Sequence, residues 1–354
     1  MKNKKVTIKN IAEAMNFTPA TISKALRDSS DISEATRERV KKLAAEMGYQ
    51  PNIMARSLVN QKSCLLGVIV PDLTISFFSE VVRGIYEHAR LHGYEAIIMV
   101  NDENIENEKR NLNFLSAMHV DGILINAVPG EDNNGLIQNL IDHGIAMVAY
   151  DRTIDGLDVS SVTIDDEVAA YHVMEHFITK GRKTILFLGP TKTLSVARGR
   201  YRGYRKALDD FGLSYKPELV VPCDVDDEDA REKMMRKLTE LPDIDAVMCI
   251  GGLIAYGAGR ALMQAKKSIP EDVMLAEFGD NAIVHRLGVP FVTVNQSPYQ
   301  MGRQAVDLVV EHLDNKITKQ PYKHLTIETK LIEYKKDGSG SDIDKIETMR
   351  STID

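Results

Sequence analysis

Two groups of residues in this 354-residue chain have side-chain types and spacings that could do chemistry. His172-Val-Met-Glu175-His176 matches the H-x-x-E-H pattern of some zinc peptidases, in which two imidazoles four residues apart share a helix face. No third ligand stands out, so ordinary surface histidines are the expectation. No P-loop is present, and Gly251-Gly252 continues as Leu-Ile-Ala rather than as a complete G-x-G-x-x-G. Asp165-Asp166-Glu167 reads as an acidic helix start rather than a metal cluster. The second group is Pro19, Ala20, Thr21, Ser23 and Lys24, the outward face of a short amphipathic helix near the N-terminus.

The elements that present this second group can be read from capping chemistry. Thr7 is placed to cap a helix whose apolar positions Ile8, Ile11, Ala12 and Met15 fall at helical spacing. Asn16 tolerates the turn conformation that ends it. Thr18 caps a second helix with Pro19 at its first position, where a missing N–H costs nothing. Ile22, Ala25 and Leu26 face inward. Ser33 opens a third helix, with Glu34 near its positive end and Val40, Leu43, Ala44 and Met47 along one face, and Gly48 ends it. Two short helices around a tight turn form a helix-turn-helix, which lays one helix in the DNA major groove.

Charge is distributed in keeping with that reading. The chain carries 44 Lys+Arg and 51 Asp+Glu, but residues 1–62 hold 12 basic and 6 acidic residues, leaving a head of +6 on a body of −13. Such a head attracts phosphates while the body repels them. Three widely spaced cysteines (Cys64, Cys223, Cys249) argue against a disulfide framework or a zinc site. No apolar run has membrane-spanning length, and Met-Lys-Asn-Lys-Lys does not begin a signal peptide, so a cytoplasmic location with no membrane partner is expected.

From Leu65 onward, apolar strand-like runs alternate with helical patterns. Candidate strands are Leu65–Val70, Glu95–Val100, Gly122–Asn126 and Ala146–Tyr150, then Val162–Ile164, Thr184–Leu188, Leu219–Val221, Ala246–Ile250, Val273–Phe278 and Phe291–Val294. Helices such as Phe78–His92, Glu167–Thr179, Arg200–Phe211 and Gln300–Leu313 lie between them. This alternation implies an α/β body of parallel sheets with helices on both faces, and the strand number implies two doubly wound lobes. Ligands of open parallel sheets bind beyond the strands' carboxyl ends, a region two facing lobes would enclose.

Nearly all of residues 6–334 resembles the LacI/GalR family of bacterial transcriptional repressors. The carrying segments are the helix-turn-helix, the hinge-like Tyr49-Gln50-Pro51-Asn52-Ile53-Met54-Ala55-Arg56-Ser57-Leu58, and body motifs such as Gly67-Val-Ile-Val-Pro71, Phe77-Phe78, Tyr150-Asp151-Arg152, Arg200-Tyr-Arg-Gly203-Tyr204 and Thr293-Val-Asn-Gln296. The resemblance implies no catalysis, cofactor or metal, but a helix-turn-helix domain (1–50), a hinge (51–62) and a periplasmic-binding-protein-like sensor. The sensor's N-lobe is expected at 63–160 with 291–321 and its C-lobe at 161–290 with 322–334, the crossings lying near Ser160, Phe291 and Tyr322. A tail at 335–354, poor in apolar residues, is expected to be disordered. Pro19, Ala20 and Lys24 would read the major groove, with Thr7, Thr18, Thr21 and Ser23 on phosphates. Asn52, Ala55, Arg56 and Leu58 would enter the minor groove, Leu58 as the wedge that bends the duplex. A homodimer, with a tetramer also open, would bind a pseudo-palindromic operator, and Phe77, Phe78, Asp151, Arg200, Asp280 and Gln296 would hold a small-molecule effector.

Two departures bear on that effector. Gly251-Gly252 stands where the family usually has a polar pair, and Gly279 replaces the aspartate that normally reaches the ligand, with Asp280 a partial substitute. Buried sugar hydroxyls left unpaired cost about 1–3 kcal/mol each, so a free hexose fits poorly. A bulkier ligand, a sugar acid or phosphate held by Arg200, or a protein co-regulator remain open, with a carbohydrate-derived ligand the family's commonest class. The reading is therefore a carbohydrate-linked repressor, with a solute-binding protein lacking gene control as the alternative.

Overall fold

The computed structural model describes residues 6–49, 62–279, 281–315, 322–337 and 339–342. The chain divides into two compact units, Met1–Ser63 and Cys64–Asp354. In the first, α1 (Ile8–Met15), α2 (Pro19–Leu26) and α3 (Glu34–Glu46) close around Ile11, Ala12, Ile22, Ala25, Val40 and Ala44. Half-buried Phe17, Ile32 and Tyr49 complete this core from outside the helices. Asn16, at φ 55°, ends α1 in the left-handed region, as its short amide allows. The expected inward faces are all observed.

The second unit runs β1 (Leu65–Val70), α4 (Ser76–Leu91), β2 (Glu95–Val100), α5 (Ile105–Ala117), β3 (Gly122–Ile125), α6 (Asn134–Asp142), β4 (Ala146–Tyr150) and β5 (Ser161–Ile164). Next come α7 (Asp166–Thr179), β6 (Ile185–Leu188), α8 (Ser195–Asp210), β7 (Val220–Val221), α9 (Asp227–Glu240), β8 (Ala246–Cys249), α10 (Gly252–Gln264) and β9 (Met274–Phe278). The last elements are α11 (Asn281–Val284), β10 (Phe291–Asn295), α12 (Pro298–Asn315), β11 (His324–Ile327), β12 (Lys330–Tyr334) and β13 (Gly340–Asp342). Every expected strand is present with ends within one residue. By contrast, α8 starts at Ser195, so Arg200 lies inside the helix on its buried face rather than at its start.

The strands form two sheets, β11-β5-β4-β3-β1-β2 and β13-β12-β10-β9-β8-β6-β7. Pairing is parallel except for the antiparallel β12 and β13. This placement corrects the expected crossings. Ser161–Ile164 stays in the first sheet by pairing with β4 and β11, so the chain crosses at Asp165 rather than Ser160. Phe291–Asn295 belongs to the second sheet beside β9, so the return comes at Gln296 rather than Phe291. The last crossing follows Ile327 rather than Tyr322. Each strand completes its ladder before the chain leaves the lobe.

The expected disordered tail also needs correction at its start. Gly340–Asp342 pairs with β12, and the turn is held by Asp337 Oδ1, which accepts from the Ser339 amide at 2.9 Å and hydroxyl at 2.6 Å. Local turn chemistry of this kind needs no apolar residues.

Both lobes share one core cluster, in which the Tyr150 and Tyr204 hydroxyls donate to the Ile69 and Ile185 carbonyls at 2.8 and 3.0 Å. In the first lobe α4 and α12 approach at glycine distance. A Cβ at Gly302 would lie 2.2 Å from the Val81 carbonyl oxygen, and one at Gly84 would lie 2.3 Å from that of Tyr299. Alanine normally favours a helix interior over glycine by about 1 kcal/mol. Here the obstacle is backbone, so overpacking outweighs that gain. Gly302→Ala is expected to lower stability by about 1–3 kcal/mol in urea denaturation, and an unchanged midpoint would contradict this packing.

Candidate DNA interface and effector cleft

The second helix of the first unit keeps part of the expected outward face. Thr18 Oγ1 accepts from the Thr21 amide at 3.1 Å and lies 2.9 Å from the Thr21 hydroxyl, so these two threonines cap α2 as well as facing outward. Thr7 donates from its amide and hydroxyl to Asn10 Oδ1 at 3.0 and 2.8 Å. Pro19, Ala20 and Lys24 are exposed, while Thr21 and Ser23 are half-buried. Lys24 Nζ is not free but pairs with Asp31 at 2.7 Å, which holds the Asp31 carboxyl below its ordinary range. Such an exposed pair is weak and opens readily to a competing acceptor. Asn52, Ala55, Arg56 and Leu58 lie outside the described residues.

The cleft of the second unit is built around Arg200. Its Nε donates to Asp166 Oδ1 at 2.8 Å, Nη1 to the Ile250 carbonyl and Nη2 to Gln296 Oε1 at 3.3 Å. The guanidinium also sits 4.2 Å from the centroid of the Phe278 ring. Burial pushes the Asp166 carboxyl up to about 6, against the pull of Arg200. Across from it, Asp151 takes φ 64° and accepts from Asn126 Nδ2 at 2.9 Å. Burial raises the Asp151 carboxyl too, while Arg152 and Arg200 oppose that rise. Arg152 forks onto Glu103 at 2.9 and 2.7 Å.

Phe77 and Phe78, on the first turn of α4, meet edge to face at 5.1 Å. With Asp151, Arg200, Phe278 and Gln296 they line an inner cavity of about 90 Å3. An outer space of about 550 Å3 shares Ile75, Phe78, Arg152, Leu194, Val225 and Leu253 with it. The structure thus brings together five of the six effector candidates, and the sixth, Asp280, lies outside the described residues. Gly279 takes φ 80°, and a Cβ there would lie 2.1 Å from Gln296 Nε2 and 3.1 Å from Phe77 Cδ2. Where the resemblance implies an aspartate, Gln296 and Phe77 occupy the space.

Sequence reasoning missed Asp166, Asn126, Arg152 and Glu103. Only Asp165 of the acidic triplet caps α7, accepting from the Val168 amide at 3.0 Å. Its neighbour Asp166 turns to Arg200. Arg152 had a signal in its position beside Asp151, whereas Asn126 and Glu103 had none. The 172–176 pattern assembles no zinc site: Glu175 and His176 are buried, and among the described residues no third ligand joins them. Burial also lowers the pKa of His176.

Residues 63–335 match the family model described as periplasmic binding proteins and sugar binding domain of LacI family, and residues 7–52 match that of bacterial regulatory proteins, lacI family. The chain belongs to the LacI family. It is 32% identical over 328 residues to the HTH-type transcriptional regulator RegA of Clostridium saccharobutylicum, covering 92% of this chain and 98% of that protein. It is 31% identical over 323 residues to the HTH-type transcriptional repressor CytR of Escherichia coli, covering 88% and 92%. Among solved structures it is similar to a transcriptional regulator CelR–cellobiose complex, at TM-score 0.69 and 26% identity, covering 92% of this chain and 98% of that one. The Lac repressor dimer bound to operator and the anti-inducer ONPF shares the fold, at TM-score 0.81 and 24% identity over 93% and 98%. This LacI-family member is a DNA-binding transcriptional regulator, and its relatives are regulators rather than enzymes. Among the described residues no helix is long and apolar enough to cross a membrane.

The Asp166 carboxyl gives the cleft a pH signature. Its folded-state value of about 6 exceeds the ordinary 3.8, so between these values the folded form binds more protons than the unfolded one. This group therefore favours folding more at about pH 5 than at about pH 7. Relative to Asp166→Asn, wild type should gain stability as pH falls from about 7 to about 5 in denaturant titrations, and parallel profiles would contradict the assignment.

Proposed function

We propose that this regulator is an effector-responsive repressor of carbohydrate-related genes that binds a pseudo-palindromic operator as a homodimer. The observation that carries the effector half is the charge balance of the cleft. Two buried cations, Arg152 and Arg200, face three carboxylates, Glu103, Asp151 and Asp166. Arg200 is already satisfied, so an anionic ligand would enter as an unpaired buried charge. The cleft therefore favours a neutral sugar or sugar derivative over a sugar acid or phosphate. Phe77, Phe78 and Phe278 offer an apolar wall for a ring face, and Asp151 and Gln296 offer acceptors for hydroxyls. The cellobiose in the CelR complex is consistent with that class.

On DNA, Pro19 and Ala20 make only apolar contacts, such as with a thymine methyl, and Lys24 donates to guanine. Thr7, Thr18, Thr21 and Ser23 position the helix on phosphates. Specificity then leans on Lys24, dimer spacing and the bend introduced when Asn52, Ala55, Arg56 and Leu58 enter the minor groove. Ligand favours one lobe arrangement, changes the spacing of the paired hinges and so alters operator affinity.

Three measurements test this reading. With an operator selected from random duplexes, Leu58→Ala should weaken binding and reduce bending while leaving the sensor folded, and unchanged affinity and bending would remove the hinge. Lys24→Ala should relax preference at specific base pairs, whereas a uniform loss across sequences would make Lys24 a phosphate contact. In a thermal-shift screen of the full chain, a neutral sugar derivative should raise the melting temperature with concentration. A response confined to acids and phosphates would overturn the charge argument.

A further inference from the structure

Away from the cleft and the DNA-reading helix, three donor atoms converge where α4 ends against α12. His88 Nε2 lies 2.6 Å from Asp307 Oδ1, and His92 Nε2 lies 3.4 Å from the same oxygen. The two imidazoles stand edge to face at 4.9 Å, and all three donor atoms fall within 4.8 Å of one another. Among the described residues this is the one such group of three or more His, Cys, Asp or Glu side chains. We propose that His88, His92 and Asp307 form a binding site for a first-row divalent transition-metal ion, with Zn2+ as the reference case.

The donor set fits that ion class. Two imidazoles and one carboxylate suit zinc and its neighbours, whereas magnesium and calcium prefer oxygen-only sites. At metal–ligand distances of about 2.0–2.2 Å, a tetrahedral ion holds its donors about 3.3 Å apart. The His92–Asp307 separation already matches. The His88–Asp307 pair needs to open by under about 1 Å, and the half-exposed Asp307 side chain is free to supply that movement. The imidazoles come from positions i and i+4 of one helix face. Asp307 is held opposite by the close contact of the two helices at Gly84 and Gly302.

Electrostatics and access agree with this fit. His88 and His92 sit in the last turn and at the C-cap of α4, where helix carbonyls favour a positive charge. The His88 side chain is 11% exposed, those of His92 and Asp307 36% and 54%, so the site is anchored on one side and open to water on the other. Three protein ligands with one open position leave room for a bound water. The ion would clamp α4 to α12. Because α4 carries Phe77 and Phe78 on its first turn, the clamp acts on the helix that forms one wall of the cleft.

The test uses the untagged full chain, Zn2+ titration by calorimetry with metal content by elemental analysis, and Co2+ as a spectroscopic probe. One equivalent of Zn2+ per chain is expected, with a metal-dependent rise in melting temperature and Co2+ absorption typical of mixed nitrogen–oxygen ligation. His92→Ala and Asp307→Asn, both at solvent-reached positions, should each weaken Zn2+ at least about tenfold and leave the metal-free melting temperature unchanged. Absence of saturable binding would overturn the proposal. So would Zn2+ affinity undiminished in both variants, which would place the ion elsewhere, such as on the cysteines.

Discussion

A guanidinium sealed from water must be paired on every side, and Arg200 imposes that condition on the sensor. Breaking a buried ion pair by removing one partner costs about 3–5 kcal/mol, because the other charge is left uncompensated. The first residue of α7, the carbonyl that follows β8, and Gln296 at the second crossing are all held by this one side chain. Asp166 and Gln296 stand at two of the chain's crossings between the lobes. The face of Phe278 closes the remaining side. The position of Arg200 inside α8, rather than at its start, is what carries the charge into the cleft.

This arrangement bears on both ends of the switch. In the proposed reading, a cleft whose buried guanidiniums already face carboxylates recognises shape and hydroxyl geometry rather than charge. In the first unit, α2 exposes few hydrogen-bonding side chains, and its Lys24 is held by a weak surface pair. On the same proposed reading, so few polar groups on that helix make operator recognition lean on the spacing and bending of the DNA. The convergence of His88, His92 and Asp307 on the back of α4 adds a second point from which that helix can be held.

Much of this was legible in the sequence because local chemistry wrote it. Thr18, Pro19, Asn16 and Gly48 mark helix ends by their own backbone and capping preferences, and buried parallel strands read as apolar runs. Which sheet a strand joins is not local. Ser161–Ile164 and Phe291–Asn295 were visible as strands yet were assigned to the wrong lobes, since only pairing partners distinguish them. The hairpin at 330–342 was hidden because its turn is held by Asp337 and Ser339, and its edge strand is too short and polar to show a period. The cleft residues divide in the same way. Phe77, Phe78, Asp151, Arg200 and Gln296 were found through motif position, but Asp166, Asn126 and Glu103 are far from them in sequence and look like ordinary polar surface. The consequence of Gly279, that Gln296 and Phe77 fill an aspartate's place, arises only where the fold brings these distant segments together.

In the proposed reading, ligand occupancy reaches the operator through the Arg200 junction. Operator affinity should therefore be measured with and without a cleft-binding ligand in wild type and in Arg200→Lys, which retains a charge for Asp166 but loses the planar fork onto Ile250 and Gln296. The account predicts a change of at least about fivefold in wild type and under about twofold in the variant, with ligand still bound. A full response in Arg200→Lys would contradict it.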